Sequence, residues 1–134
     1  MPQPKSSLTF FTDRCLGDGI IPQGLRDAGL TIVTMNEHYG KYPSHGISDP
    51  LWLKLVGENG WVALTKDMEI RRNPNERQAV LDYGVQGFGL SRQDLKGPAA
   101  LDRFLQYIPE IQRACHVPGP FWYSLQPDKI VKVL

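Results

Sequence analysis

The chain has 134 residues, with 15 basic and 14 acidic side chains and a formal net charge of +1. That length suits one domain, expected here over 1–134 with a core from about 8 to 132, and it buries a core without staples. A balance so near zero excludes a polybasic nucleic-acid wrapper, so any RNA or DNA contact must use a local patch. The two cysteines, Cys15 and Cys115, show neither zinc-ligand spacing nor a C-x-x-C pair. They are expected to be free thiols in a reducing cytoplasm. The start, MPQPKSS, has no apolar core of a secretory signal, and no apolar run approaches the ~20 residues of a membrane span. A soluble, cytoplasmic protein without membrane contact is expected.

Leu8 to Thr12 (LTFFT) is the first predicted strand, and it ends on Asp13. Ile20 to Ala28 has three–four apolar spacing, with Pro22 near its start and Gly29 as its stop, which predicts a helix. Thr31 to Met35 is a second strand. Strand, helix, strand implies a parallel crossover. Asn36 to Ser48 reads as a long loop, the kind of segment that often carries function. Ser48-Asp49-Pro50 announces a helix, capped by either Ser48 or Asp49, with Leu51, Trp52, Leu55 and Val56 on one face.

Trp61 to Leu64 is a short unbroken apolar run between turn signals, as in a strand buried on both faces. Charge arrives abruptly after it, at Lys66, Asp67, Glu69, Arg71 and Arg72. Asn73-Pro74-Asn75-Glu76 starts another helix that runs to Tyr83, with Gly84 as its stop. Val85 to Leu90 is a fourth strand, whose two glycines suggest a bulge or close approach. Leu95 to Ala114 is the longest helical pattern, and Pro109 predicts a break near Tyr107. Phe121 to Leu125 and Ile130 to Val133 are extended, either as a hairpin or as irregular pieces. The alternation predicts an α/β fold with a mostly parallel sheet of four or five strands.

The acids Asp13, Glu37, Asp49 and Asp67 all lie at strand ends or at helix starts beside them. In a parallel sheet those ends face one way, and ligands bind just outside them. Carboxylates gathered on one rim resist ionising together, and a divalent cation relieves the repulsion. Mg²⁺ and Mn²⁺ prefer oxygen ligands, and either can acidify water and offset charge on a scissile phosphate. The chemistry implied is metal-assisted phosphodiester hydrolysis. Lys66, Arg71, Arg72 and Arg14 are the candidate phosphate-binding side chains. The structural alternatives are a turn cap for Asp67, a helix cap for Asp49, a solvated loop charge for Glu37 and a solvated turn for the cations. His38 and His45 lack ligand-spaced partners and are read as loop or supporting groups.

Several of these pieces together resemble the PIN-like domain family, in its branch of VapC-type toxins. They are Asp13-Arg14-x-Leu16-Gly17, Glu37-His38-Tyr39, Asp49-x-x-Trp52-Leu53, Gly60-Trp61-x-x-Leu64-Thr65-Lys66-Asp67-x-x-Ile70-Arg71 and Pro118-Gly119-Pro120-Phe121. The likeness runs from about Leu8 to Lys132. It implies a three-layer α/β/α sandwich and a Mg²⁺- or Mn²⁺-dependent ribonuclease site, with Asp13, Asp49 and Asp67 on the family's metal-binding acids and Glu37 as a candidate fourth. It also implies an RNA substrate, a cognate antitoxin and a homodimer. This chain has Arg14 where many relatives carry a further acid, and it lacks the usual second acid near the last site unless Glu69 substitutes. The alternative function is therefore a weak or inactive PIN-like module that binds RNA or a protein partner. A receiver-like phosphoacceptor domain also gathers acids at strand ends, but the order of elements after Asp67 fits it poorly.

Overall fold

A computed structural model, which describes residues 8–66, 72–91 and 95–134, joins the apolar segments into one sheet. In chain order the elements are β1 (Thr9–Thr12), α1 (Ile20–Asp27), β2 (Thr31–Thr34), α2 (Met35–Tyr39), α3 (Asp49–Asn59) and β3 (Val62–Thr65). They continue with α4 (Pro74–Tyr83), β4 (Gln86–Leu90), α5 (Gly97–Gln106), α6 (Ile108–Ala114), β5 (Phe121–Leu125) and β6 (Ile130–Lys132). Short 3₁₀ turns cover Arg14–Leu16 and Pro43–Gly46. The strand order is β2-β1-β3-β4-β5-β6. The first five strands pair in parallel, and β6 runs back against β5 as a hairpin. The terminal segment thus adds a sixth strand to the expected parallel core.

Side chains alternate across each strand, so neighbours in sequence enter different cores. Phe10, Val62, Leu64, Phe88 and Phe121 face α1, α5 and α6, meeting Ile21, Leu25, Ala100, Phe104 and Ile111. Phe11, Ala63 and Trp122 face the other way and meet Met35 of α2, Trp52, Leu53 and Val56 of α3, and Ala79 and Val80 of α4. The result is a three-layer α/β/α sandwich. Among the described residues no helix is long and apolar enough to cross a membrane.

Local signals set most boundaries. The Asn73 side chain accepts the Asn75 and Glu76 amides at 2.9 and 3.2 Å and starts α4 as expected. The long helical pattern breaks at Tyr107 into α5 and α6, because Pro109 cannot continue the hydrogen-bond ladder. The segment expected as a loop from Asn36 differs. It opens with α2, started by a reciprocal cap in which Thr34 Oγ1 accepts the Glu37 amide at 3.1 Å and Glu37 Oε1 accepts the Thr34 amide at 2.9 Å. Thr-x-x-Glu at 34–37 is the sequence form of that cap.

The glycines of β4 have a packing reason. Gly87 pairs with Trp122 across β4 and β5, and a Cβ built on it would lie 2.1 Å from the Trp122 ring. Gly87→Ala is therefore expected to cost about 1–3 kcal/mol by overpacking. The check is a lower urea midpoint with an unchanged m-value.

Candidate functional site

In this strand order the chain reverses direction across the sheet between β1 and β3. β2 lies on one side of β1 and β3 on the other, and the connecting helices lie on opposite faces. The crevice outside the carboxyl ends of such a strand pair is where open α/β sheets bind ligands. Asp13, Thr65 and Lys66 stand at that crevice.

Asp13 directly continues β1. Its amide donates to the Leu64 carbonyl at 3.2 Å, which extends the β1–β3 ladder by one bond. Its side chain is only 8% exposed. Oδ2 accepts the Thr65 hydroxyl at 3.0 Å and the Cys15 thiol at 3.3 Å. Burial pushes the Asp13 carboxyl above the usual carboxylate range, and the charge of Asp49 pushes the same way. The thiol, the hydroxyl and the Arg14 amide offset part of that. Cys15 also lies 3.2 Å from Thr65 Oγ1. Burial first, and then the Asp13 charge, raise its pKa to about 12, so it is a neutral thiol that can donate. Cys15 and Cys115 are both free.

Asp49 is the first residue of α3, after Ser48 at the cap position, and the Ser48 side chain makes no capping bond. Asp49 Oδ1 accepts the indole N–H of Trp52 at 2.8 Å. Trp52 is 2% exposed and anchored in the core, so its ring aims the carboxylate from below. Asp49 is the acid whose charge acts on Asp13. Asp13, after β1, and Asp49, at the start of α3, thus lie within electrostatic range of each other.

Glu37 has a different surrounding. Its Oε1 is engaged by the Thr34 amide and by Arg26 at 2.6 Å. Arg26 also donates to the Ile32 carbonyl at 2.8 Å, which ties α1 to β2. The Thr34 amide does most to lower the Glu37 pKa; burial opposes it, and Arg26 adds to the lowering.

The candidate phosphate-binding cations fall in several places. Lys66 is half-buried, and its amide bonds the Cys15 sulfur. Arg72 is exposed just before α4. Arg14 is exposed, and its Nη1 donates to the Ser44 carbonyl at 3.0 Å. Asp67 and Arg71 lie outside the described residues. Among the described residues no three His, Cys, Asp or Glu side chains form a metal-holding group. His38 packs edge-on against Tyr39 and Trp61, and His45 is exposed in its 3₁₀ turn.

A PIN-like domain model matches residues 8–92. The chain belongs to the PIN-like domain family. It is 44% identical over 124 residues to a Mycobacterium tuberculosis (strain ATCC 25618 / H37Rv) protein named "Putative ribonuclease VapC45", an alignment covering 92% of this chain and 90% of that protein. No solved structure matches the chain.

Sequence reasoning missed three partners in this PIN-like site: Thr65, Cys15 and Trp52. Trp52 carried a signal, because a side chain three residues after a helical acid lies on the same face. Thr65 depends on the β1–β3 register, which no local pattern displays, and Cys15 reaches back two residues to Asp13 through the 3₁₀ turn that follows β1.

The raised pKa of Asp13 makes a stability prediction. A carboxyl that holds its proton more tightly folded than unfolded stabilises the fold below its unfolded pKa. That contribution is lost as pH rises through the folded value. At neutral pH the buried charge is a cost, so metal-free Asp13→Asn is expected to melt above the wild type in EDTA. The gap should narrow as pH falls from the raised folded value toward the ordinary carboxylate value. Thermal melts from pH 4 to pH 8 check this.

Proposed function

We propose that this chain is a divalent-metal-dependent ribonuclease, the toxin half of a toxin–antitoxin pair. The observation that carries the reading is the buried Asp13 carboxylate beside Asp49, at the crevice between β1 and β3, in a chain of the PIN-like family. The 44% identity to a protein named as a ribonuclease supports it. A cognate antitoxin is then the protein partner, and self-association into a homodimer is a further expectation.

The donor set fits a hard cation. Carboxylate oxygens suit Mg²⁺ or Mn²⁺, and positive charge stabilises a buried carboxylate, Asp13, on which the charge of a second, Asp49, acts. We assign Asp13, Asp49 and Asp67 as the residues that hold the ion. When bound, the ion supplies acidified water and charge compensation at the scissile phosphate. The chain's own groups do the positioning. Thr65 and Cys15 fix the Asp13 carboxylate by hydrogen bonds to Oδ2, and Trp52 fixes that of Asp49. Such supporting bonds orient ligands and tune their basicity.

Glu37 is assigned to the cap of α2 and to the Arg26 pair, since both engage its Oε1. Lys66, Arg71, Arg72 and Arg14 are assigned to the RNA backbone. Arg14 spends one of its five donors on Ser44, which leaves its guanidinium other donors for a phosphate.

Cleavage of a single-stranded RNA, with and without Mn²⁺, tests the assignment. Asp13→Asn, Asp49→Asn and Asp67→Asn are each expected to lose metal-dependent cleavage with the fold retained. Thr65→Val keeps the shape and removes the hydroxyl, and should weaken Mn²⁺ binding or activity by about 10–100-fold. Calorimetric Mn²⁺ titration reads the binding arm directly. Full metal-dependent activity in Asp13→Asn or Asp67→Asn contradicts the assignment.

A further inference from the structure

Tyr42 is the most exposed large apolar side chain among the described residues, at 84% against 60% for Val117, the next. A single exposed apolar residue is ordinary on a protein surface. The setting of this one is not. The segment that carries it leaves α2 at Gly40 and ends at Asp49, one of the two site acids. Its middle is fastened to the residue beside the other acid, because the Ser44 carbonyl accepts Arg14 Nη1 at 3.0 Å.

The fastening continues inward. Ser44 is fully buried, and its hydroxyl donates to Asn36 Oδ1. Asn36 Nδ2 donates in turn to Asp18 Oδ2 at 2.7 Å. The Ser44 amide bonds the Gly40 carbonyl at 2.9 Å, and the His45 amide bonds the Tyr42 carbonyl at 3.2 Å. The Tyr42 backbone is thus held firmly, while no hydrogen bond or ring contact among the described residues uses its side chain. A rigid mount with a ring left open to water is what a stacking surface requires.

Charge favours the same side of the site. Lys41 precedes Tyr42, and Arg14 is tied to Ser44 two residues after it; both cations are exposed. A groove of about 890 Å³ between α3 and α4 also opens at Asp49, and Asp49, Lys54 and Asp82 are among its lining residues. Exposed cations favour a polyanion over the 40–46 segment. Aromatic faces beside basic side chains are how proteins hold unpaired nucleotides, with stacking that tolerates any base.

We propose that Tyr42 is the stacking platform for an unpaired base of the RNA that flanks the cleaved phosphate. The proposal rests on the ribonuclease reading and adds to it a preference for single-stranded RNA at that nucleotide.

The test uses the full chain with Mn²⁺ and a single-stranded fluorophore–quencher RNA that has one mapped cleavage site. Tyr42→Ala is expected to raise KM by about 5–150-fold, the range one base–aromatic stack carries, with kcat within about twofold of wild type. Tyr42→Phe keeps the ring and should behave as wild type, whereas Tyr42→Leu, apolar but without a π-face, should behave as Tyr42→Ala. Replacing the flanking nucleotides one at a time by abasic sites should raise the wild-type KM at one position and abolish the difference from Tyr42→Ala there. An unchanged KM in Tyr42→Ala overturns the proposal, as does an equal penalty at every abasic position. It is also overturned if Tyr42→Ala weakens a co-expressed antitoxin's binding and leaves RNA kinetics alone, which would make the ring a protein contact. A wild type that cleaves no RNA sinks the nuclease reading and this proposal together, whereas a wild type that cleaves beside an unaffected Tyr42→Ala sinks the proposal alone.

Discussion

The hydrogen bond from the Thr65 hydroxyl to Asp13 Oδ2 crosses from the end of β3 to the end of β1. It makes the position of a site carboxylate depend on strand register. Thr12 pairs with Leu64, so Asp13 and Thr65 are the next step of the same ladder. A slip of one residue would turn every side chain of β3 to the opposite face. Two buried cores oppose that slip, since Val62 and Leu64 belong to one and Ala63 to the other. The packing that stabilises the sandwich therefore also aims the acid.

The same arrangement carries an electrostatic cost. Asp13 is buried beside a second carboxylate and supported by neutral donors, a hydroxyl and a thiol. Neutral donors orient a carboxylate without cancelling its charge. An arginine in the same place would hold it as an ion pair and remove the demand for a cation. Arg14, next in sequence, instead reaches the Ser44 carbonyl, while Arg26 pairs with Glu37. Among the described residues, an arginine neutralises Glu37, where the fold needs a tie, and neutral donors hold Asp13, where the proposed chemistry needs a ligand. Sites of this kind commonly trade stability for function.

Much of the layout was legible along the chain because its signals are local. Apolar runs bounded by glycine and acid marked β1 and β3, Asn73-Pro74 marked α4, and Pro109 marked the break at Tyr107. The start of α2 was equally local, in Thr34-x-x-Glu37, yet the glycines, proline and tyrosines that follow made the whole stretch look irregular. What could not be seen in advance was pairwise and distant. Thr65 meets Asp13 and Cys15 across some fifty residues of sequence, and Arg14 reaches Ser44 across thirty. The glycines of β4 signalled close approach, but only the β5 register identifies the Trp122 ring as what approaches Gly87.

The central claim is that carboxylates remote in sequence share one divalent ion at the β1–β3 crevice. Anomalous diffraction from crystals grown with Mn²⁺ tests it most directly. The account predicts a manganese peak bonded to carboxylate oxygens of Asp13, Asp49 and Asp67, at the roughly 2 Å typical of small hard cations. A manganese ion bound elsewhere, with Asp67 turned away from Asp13, would contradict it.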